Sequence, residues 1–268
     1  MSNIKSQICF LTPKRLQPDY PLFVFLPGMD GTGQLLRSQT VGLECDFDVR
    51  CLAIPPDDLT AWDELTENVL ALVEAEITGR KSKLPVYLCG ESFGGCLALK
   101  VIQRAPQLFD RLILINPASS FNRKPFLRFG SQLVQWVPEP LYKLGSVGFL
   151  PFLAALERMT PSDRRELLKV TQTVPERTSI WRMSLLREFC VTEAALRRIT
   201  QPTLLIASAR DRLLPSLEEA HYLIEYLPNA RLVVLPDSGH ACLVECDTHL
   251  YRIMQEHGFF HESVSIAS

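Results

Sequence analysis

The 268-residue sequence predicts an α/β fold, a mostly parallel sheet flanked by helices, and three observations carry that expectation. Short β-rich runs alternate with helical patterns, the order that βα repeats produce. The runs are apolar from end to end instead of alternating with polar residues, as strands covered on both faces require. The alternation is suspended once, from Phe121 to about Leu196, where helical patterns follow one another without a strand.

The strands read in order as Leu22 to Leu26, Val49 to Ile54, Val86 to Cys89, Leu112 to Ile115, Thr203 to Ala207 and Arg231 to Leu235, most bounded by Pro, Gly, Asn or Asp. All six are expected to be buried. Between them, Trp62 to Ile77 carries apolar residues at Leu65, Val69, Leu72, Val73 and Ile77, the spacing of one helical face with acidic residues interleaved. Phe93 to Arg104, Ser216 to Tyr226 and Ala241 to Gln255 read likewise as helices. The interrupted stretch holds Phe126 to Phe129, Leu133 to Trp136, Phe149 to Met159 and Arg164 to Val170, which read as a helical cap inserted into one domain spanning 1–268. The last residues, from His261 to Ser268, read as a loose tail.

Composition narrows the function classes. A 47% hydrophobic share supports a large core, and a formal net charge of −2 gives no electrostatic basis for a nucleic-acid partner. The balance is uneven: Phe121 to Thr200 holds 13 Lys/Arg against 7 Asp/Glu, leaving the remainder at −8. No secretory pattern opens the sequence, and charged residues or proline interrupt every apolar stretch before it could span a membrane. The eight cysteines are scattered and read as buried free thiols in a reducing cytoplasm. Cys242 and Cys246 lie four apart but lack a second pair, so no metal is expected, and no cofactor motif appears.

The chemistry-bearing motif is Gly90-Glu91-Ser92-Phe93-Gly94. A Gly-x-Ser-x-Gly pattern alone arises readily by chance. Here it directly follows a strand and opens a helix, the context in which the serine sits on a strained turn with its hydroxyl exposed. Such a hydroxyl needs a base, and the base a carboxylate to orient it. His240, in Asp237-Ser238-Gly239-His240 after the last strand, is the expected base; His221, His249, His257 and His261 fall in or beyond helices. Asp211, ending the Thr203 strand's loop, is the expected acid, with Asp237 as its rival. The oxyanion that forms needs two N–H donors, one after the nucleophile and one after the earlier strand. Phe93 and Met29 fill those places, the latter in a loop with Gly28, Gly31 and Gly33. Together these residues predict an α/β-hydrolase fold and a serine hydrolase.

The segments Leu26 to Gly33, Gly90 to Leu97 (GESFGGCL) and Leu114 to Phe121 (LINPASSF) resemble the esterase half of plastid phytyl ester synthases and their cyanobacterial relatives, over roughly Tyr20 to Gly258. That resemblance implies acyl-chain transfer to or from hydrophobic alcohols such as phytol or diacylglycerol at photosynthetic membranes. The plant proteins carry a second, acyltransferase-type half with a His-x-x-x-x-Asp motif, absent here, which favours hydrolysis over synthesis. Where many hydrolases of this fold have His-Gly, this chain has Pro27-Gly28, which keeps the glycine and the amide after it.

The expected function is therefore hydrolysis of carboxylic esters, lipid or isoprenoid, with acyl transfer to an alcohol as the alternative. Carbon–carbon hydrolysis or haloperoxidase chemistry uses the same triad, and a catalytically silent lipid-binding protein stands outside the enzyme class. Dehalogenase and epoxide-hydrolase chemistry would call for aspartate at Ser92. In the cap, Phe121, Phe126, Phe129, Trp136, Tyr142, Phe149, Phe152, Trp181 and Phe189 stand among the 13 basic residues. They suit a roof over an apolar acyl pocket, with peripheral docking on an anionic membrane as a second use.

Overall fold

Residues 7–133, 148 and 150–260 are described by the computed structural model of the chain. Its strands are β1 (Cys9–Leu11), β2 (Leu22–Leu26), β3 (Asp48–Ala53), β4 (Val86–Glu91), β5 (Arg111–Ile115), β6 (Thr203–Ser208) and β7 (Ala230–Leu235). They form one sheet in the order β1-β3-β2-β4-β5-β6-β7. β1 runs antiparallel to β3 and every other pairing is parallel.

The helices are α1 (Arg37–Leu43), α2 (Trp62–Thr78), α3 (Phe93–Arg104), α4 (Pro125–Leu133), α5 (Pro161–Thr173), α6 (Glu176–Glu188), α7 (Glu193–Leu196), α8 (Ser216–Tyr226) and α9 (Leu250–Glu256). β2 shows why its sequence is apolar throughout. Leu22, Val24 and Leu26 join a core with Val69 and Val73 of α2, Leu97 and Val101 of α3 and Leu223 of α8. Phe23 and Phe25 turn to the other face, against Leu43 of α1 and Met254 of α9. All five β2 side chains are excluded from solvent, each contributing about 1.5–3 kcal/mol relative to exposure.

At the opposite end of the sheet from the strand carboxyl ends, Asp48 anchors a buried ionic network. Its carboxylate accepts from both Arg50 guanidinium nitrogens at 2.7 and 3.0 Å, from Arg80 at 2.6 Å and from the Gln17 amide at 2.9 Å. Burial pushes this carboxyl up, but the hydrogen bonds and charges of Arg50 and Arg80 outweigh it and hold the group below the ordinary range.

The expected strands and the helices over Trp62, Phe93 and Ser216 are in place, and four expectations are corrected. β1 was not anticipated: three residues pairing on the rim, two of them exposed, leave no apolar run to read. β7 was expected to be buried, yet its residues are part-buried or exposed because it is the last strand of the sheet. The helix expected over Ala241 to Gln255 is split into a 3-10 turn (Cys242–Val244) and α9. Gln39 takes up the broken ends, donating to the Leu243 and Thr248 carbonyls and accepting from the Leu250 amide at 2.7, 2.8 and 2.8 Å. Of the cysteines, Cys51, Cys89, Cys96 and Cys242 are buried, whereas Cys9, Cys45, Cys190 and Cys246 are exposed, and all are free thiols.

Between β5 and β6 no strand occurs among the described residues, which hold α4 to α7, and the expected Phe149 to Met159 helix is a further correction: it breaks after Leu153 into a 3-10 turn (Leu156–Arg158). Trp136, Tyr142 and Phe149 lie outside the described residues, as does the stretch beyond Leu133 in the expected Leu133 to Trp136 helix. The remaining aromatics there divide between inside and outside. Phe189 is buried edge-on against Trp62, which stacks on Phe93 at 4.6 Å, so it joins the core between α2 and α3. Phe126 and Phe129 are 66% and 64% exposed, three residues apart on α4.

Candidate active site

Parallel strands bring their following loops to one edge of the sheet, and side chains far apart in sequence meet there. The loops after β2, β4, β6 and β7 carry Met29, Ser92, Asp211 and His240.

Ser92 joins β4 to α3 in a conformation that L-residues seldom take, with φ 53° and ψ −113°. Such a backbone costs about 1–3 kcal/mol and persists only where its surroundings over-determine it. Here the Ser92 amide donates to Ile115 O at 3.0 Å, and its carbonyl accepts from Gly95 and Ala118 at 3.0 and 3.1 Å. The turn also needs a close backbone approach: a Cβ at Gly94 would lie 2.0 Å from the Leu26 carbonyl oxygen. That is why a glycine stands two residues after the serine.

The Ser92 hydroxyl lies 2.8 Å from His240 Nε2, and His240 Nδ1 lies 2.6 Å from Asp211 Oδ2. With the proton on Nδ1, the imidazole donates to Asp211 and leaves Nε2 free to accept from Ser92. The His240 and Asp211 side chains are only 4% and 1% exposed, while Ser92 is half-buried. Asp211 is itself held in place, with Oδ1 accepting from the Leu213 and Leu214 amides at 2.8 and 2.9 Å and Oδ2 accepting from the Ser216 hydroxyl.

The electrostatics follow from that geometry. Burial works to raise the Asp211 carboxyl, but the charge and hydrogen bond of His240, with Ser216 and the Leu214 amide, hold it below the ordinary carboxylate range. Burial would lower His240; Asp211 and, more weakly, Glu91 reverse this and hold the imidazole above its usual value. The arrangement can accept a proton from Ser92 and stabilise the imidazolium that results. Asp237, the rival acid, points elsewhere and pairs with Arg210 at 2.7 Å on the surface.

Gly28 abuts the nucleophile, since a Cβ there would sit 3.8 Å from Ser92 Cβ. Met29 follows it, and Phe93 is the first residue of α3. Among the described residues neither the Met29 nor the Phe93 amide has a hydrogen-bond acceptor. Two unpaired N–H groups thus flank the serine. Cys242 is buried behind the site with its thiol pushed well up by burial, Cys246 is exposed, and no group of three or more metal-capable side chains occurs among the described residues.

Sequence reasoning missed three buried polar residues around this site. Asn116, fully buried with φ 43°, donates from Nδ2 to the His240 carbonyl at 2.7 Å and to Ser208 Oγ at 2.9 Å. It also accepts the Ser208 amide at 2.8 Å, tying the ends of β5 and β6 to the His240 loop. Glu91, 5% exposed, precedes the nucleophile, and burial pushes its carboxyl up to about 7, with His240 opposing and Asp30 adding to the rise. Arg182 of α6 reaches the Met29 carbonyl at 2.6 Å. Only Asn116 left a signal, since asparagine at a strand end is one of the few side chains that tolerate a positive φ.

Comparison with known proteins agrees with this architecture. The family described as "Serine aminopeptidase, S33" (Hydrolase_4) matches residues 57–247. The chain is 34% identical to phytyl ester synthase 1, chloroplastic, from Arabidopsis thaliana over 91% of its own length, spanning 38% of that relative. It is 29% identical to putative carbamate hydrolase RutD from Stutzerimonas stutzeri, covering 91% of this chain and 93% of the relative. Among solved structures, MGS-M2, an α/β hydrolase from a deep-sea metagenome library, superimposes with a TM-score of 0.74 at 19% identity over 97% of both chains. The chain belongs to the serine aminopeptidase S33 (Hydrolase_4) family of α/β hydrolases.

Proposed function

We propose that the chain hydrolyses carboxylic esters through an acyl-enzyme on Ser92. His240 Nε2 takes the Ser92 proton as Oγ attacks the ester carbonyl carbon. The Met29 and Phe93 amides receive the oxyanion, and Asp211 holds the imidazolium. Collapse of the tetrahedral adduct breaks the bond to the alcohol oxygen, which leaves with the proton from His240. Water, deprotonated by His240, then attacks the acyl carbon and restores Ser92. The observation that carries this reading is the continuous relay of 2.8 and 2.6 Å from Ser92 through His240 to Asp211.

The proposed substrate class is a lipid or isoprenoid acyl ester. The 34% identity to a protein named phytyl ester synthase supports it, and the same likeness supports a second reading in which a hydrophobic alcohol replaces water. Residues 121–196 serve in this proposal as the cap over the acyl chain. Phe126 and Phe129, exposed on one side of α4, offer a peripheral contact with a membrane surface. No helix among the described residues is long and apolar enough to cross one.

A fluorophosphonate probe tests the nucleophile: the wild type labels and Ser92→Ala does not. Equal labelling of the two would remove the serine-hydrolase reading. A panel of esters from acetyl to phytyl and glyceryl, with and without added alcohol, tests the substrate. A strong preference for acetyl esters would remove the lipid reading, and acyl transfer at the expense of hydrolysis would replace the first reaction with the second.

A further inference from the structure

Arg182 is a buried cation that the proposed reaction does not use. It lies on α6, in the segment between β5 and β6, and is 2% exposed. Its guanidinium makes no ion pair within 4.0 Å among the described residues. Instead Nη1 donates to the Met29 carbonyl at 2.6 Å and Nη2 donates to the Pro55 carbonyl at 3.0 Å. Burying a guanidinium among neutral carbonyls is costly, and burial accordingly holds its pKa below the usual value despite the charges of Asp30 and Asp58.

The Met29 end of this clamp lies in the turn that carries one proposed oxyanion donor. That turn closes with the Gly31 amide donating to Gly28 O at 3.0 Å, and the Gly31 carbonyl accepts from the Ile54 amide at 2.7 Å. These two bonds fix the ends of the turn to each other and to the chain after β3. The first of them holds the Gly28–Met29 peptide, the unit that carries the Met29 N–H, but leaves the middle peptide of the turn, Met29–Asp30, unheld. The bond from Arg182 holds that middle peptide through its carbonyl and docks the turn from outside the sheet. The fit is close, because Gly31, at φ 72°, lies against the guanidinium, and a Cβ there would be 2.8 Å from Arg182 Nη1.

We propose that Arg182 is a positioning residue for the oxyanion site: by holding the Met29 and Pro55 carbonyls at once, the planar two-donor guanidinium docks the Gly28–Gly31 turn in the place from which its Met29 amide meets the developing oxyanion. This rests on the proposed reaction at Ser92. It adds to it that the segment between β5 and β6 sets the geometry of the chemical step as well as the space above it. A guanidinium suits the task and an ammonium does not, because two carbonyls must be met at once in a fixed plane.

The test measures kcat, KM and their pH dependence with a chromogenic ester for wild type, Arg182→Ala, Arg182→Lys and Ser92→Ala, with thermal unfolding followed alongside. Outright loss of one oxyanion donor lowers kcat by about 10²–10³-fold. A donor retained but misplaced by a fraction of an ångström should cost less, about 10–100-fold. The expected result is a kcat lowered in that range for Arg182→Ala and by less for Arg182→Lys, with KM and the pH midpoints as in the wild type. Should Arg182→Ala fail to fold, Arg182→Lys is read alone. A folded Arg182→Lys with kcat within twofold of wild type overturns the proposal. So does a loss confined to KM, or one that appears as a shifted pH midpoint, which would place the damage at the substrate or at His240. Turnover by Ser92→Ala equal to wild type, or no turnover by wild type, overturns the parent reading and this one with it.

Discussion

Replacing Glu91 by glutamine should make the protein more stable at alkaline pH and not at acidic pH. Glu91 closes β4 directly before the nucleophile, is 5% exposed, and has its carboxyl pushed by burial from 4.5 up to about 7. The native chain therefore keeps this proton across a range in which the unfolded chain has lost it. Stability falls with rising pH wherever the native state binds more protons, so the loss runs from about pH 4.5 to about pH 7 and is complete above. At about 1.4 kcal/mol per pH unit, the gap amounts to about 3 kcal/mol, of which roughly 2 to 3 falls between pH 5 and pH 8. Glutamine has the same shape and does not titrate. Urea unfolding of both proteins at pH 5 and pH 8 isolates the effect, because groups common to both cancel. The stability of Glu91→Gln relative to wild type should rise by roughly 2 to 3 kcal/mol over that interval. A second readout comes from the same substitution. Glu91 helps to hold the His240 imidazole up, so the acid limb of the kcat/KM profile should move to lower pH. Stabilities that run parallel from pH 5 to pH 8 would mean that Glu91 ionises in place at little cost, and the reasoning would fall.

Three further outcomes are expected. Asn116→Ala strips a partner from both the His240 carbonyl and the Ser208 amide, at about 1–3 kcal/mol for each buried group left unpaired, and thermal unfolding should show the loss together with a lowered kcat. Asp48→Asn removes a charge that faces Arg50 and Arg80 and should cost about 3–5 kcal/mol in urea unfolding at pH 7. Because the Asp48 pKa is lowered in the folded state, its contribution is present above about 3.8 and is lost as pH falls through the folded value, so the variant and wild type should converge in acid. Titration with an aromatic disulfide reagent should divide the thiols, with Cys9, Cys45, Cys190 and Cys246 reacting fast and Cys51, Cys89, Cys96 and Cys242 only on unfolding. Cys51, pushed by burial to about 12, should be inert at pH 8 in the native protein.

The parallel sheet was legible because each central strand is covered on both faces, as β2 is by the helices that meet Leu22 on one side and Phe23 on the other. That arrangement writes itself into the sequence as an unbroken apolar run. β1 has no such signature, since exposure leaves its three residues free to vary. The split in the last helix was hidden for another reason. Its apolar residues keep a helical spacing through the break, while the group that permits the break, Gln39, lies 211 residues from the Leu250 amide it caps. Ser92, Asp211 and His240 were readable because each stands beside turn residues at a strand end, and strand ends of a parallel sheet lie together. Arg182 acts on a partner 153 positions away, which leaves no local pattern, and the asparagine at the end of β5 hints at a turn but not at its bond to His240, 124 positions away.

These long connections divide the site into a part built by the sheet and a part that the segment between β5 and β6 reaches. The bond between Ser92 and His240 joins two strand-end loops, and Asn116 braces it from a third. Nothing in that relay depends on which ester enters. The Met29 turn and the loop around His240 differ, because both are also touched from above. Arg182 holds the Met29 carbonyl, the Ala241 amide donates to Leu153 O at 2.6 Å, and Glu245 accepts from the Gly239 amide and from Arg158 at 2.8 and 3.1 Å. A segment that only covered a pocket could change with the substrate and leave the chemistry alone. One bonded to the turn beside the nucleophile and to the loop of the base cannot, and a substitution within it should shift kcat along with the choice of ester. In the proposed reaction, the contest between water and an alcohol for the acyl-enzyme is decided at the same place, since the groups that exclude water from Ser92 also hold the two loops that flank it. Exchange of residues 121–196 for the matching segment of a relative would separate these possibilities. If the segment is only a cover, the chimera keeps the host kcat on a short ester that needs no cover. If it is coupled as the bonds indicate, kcat on that ester falls, and restoring arginine at the position facing Met29 recovers it.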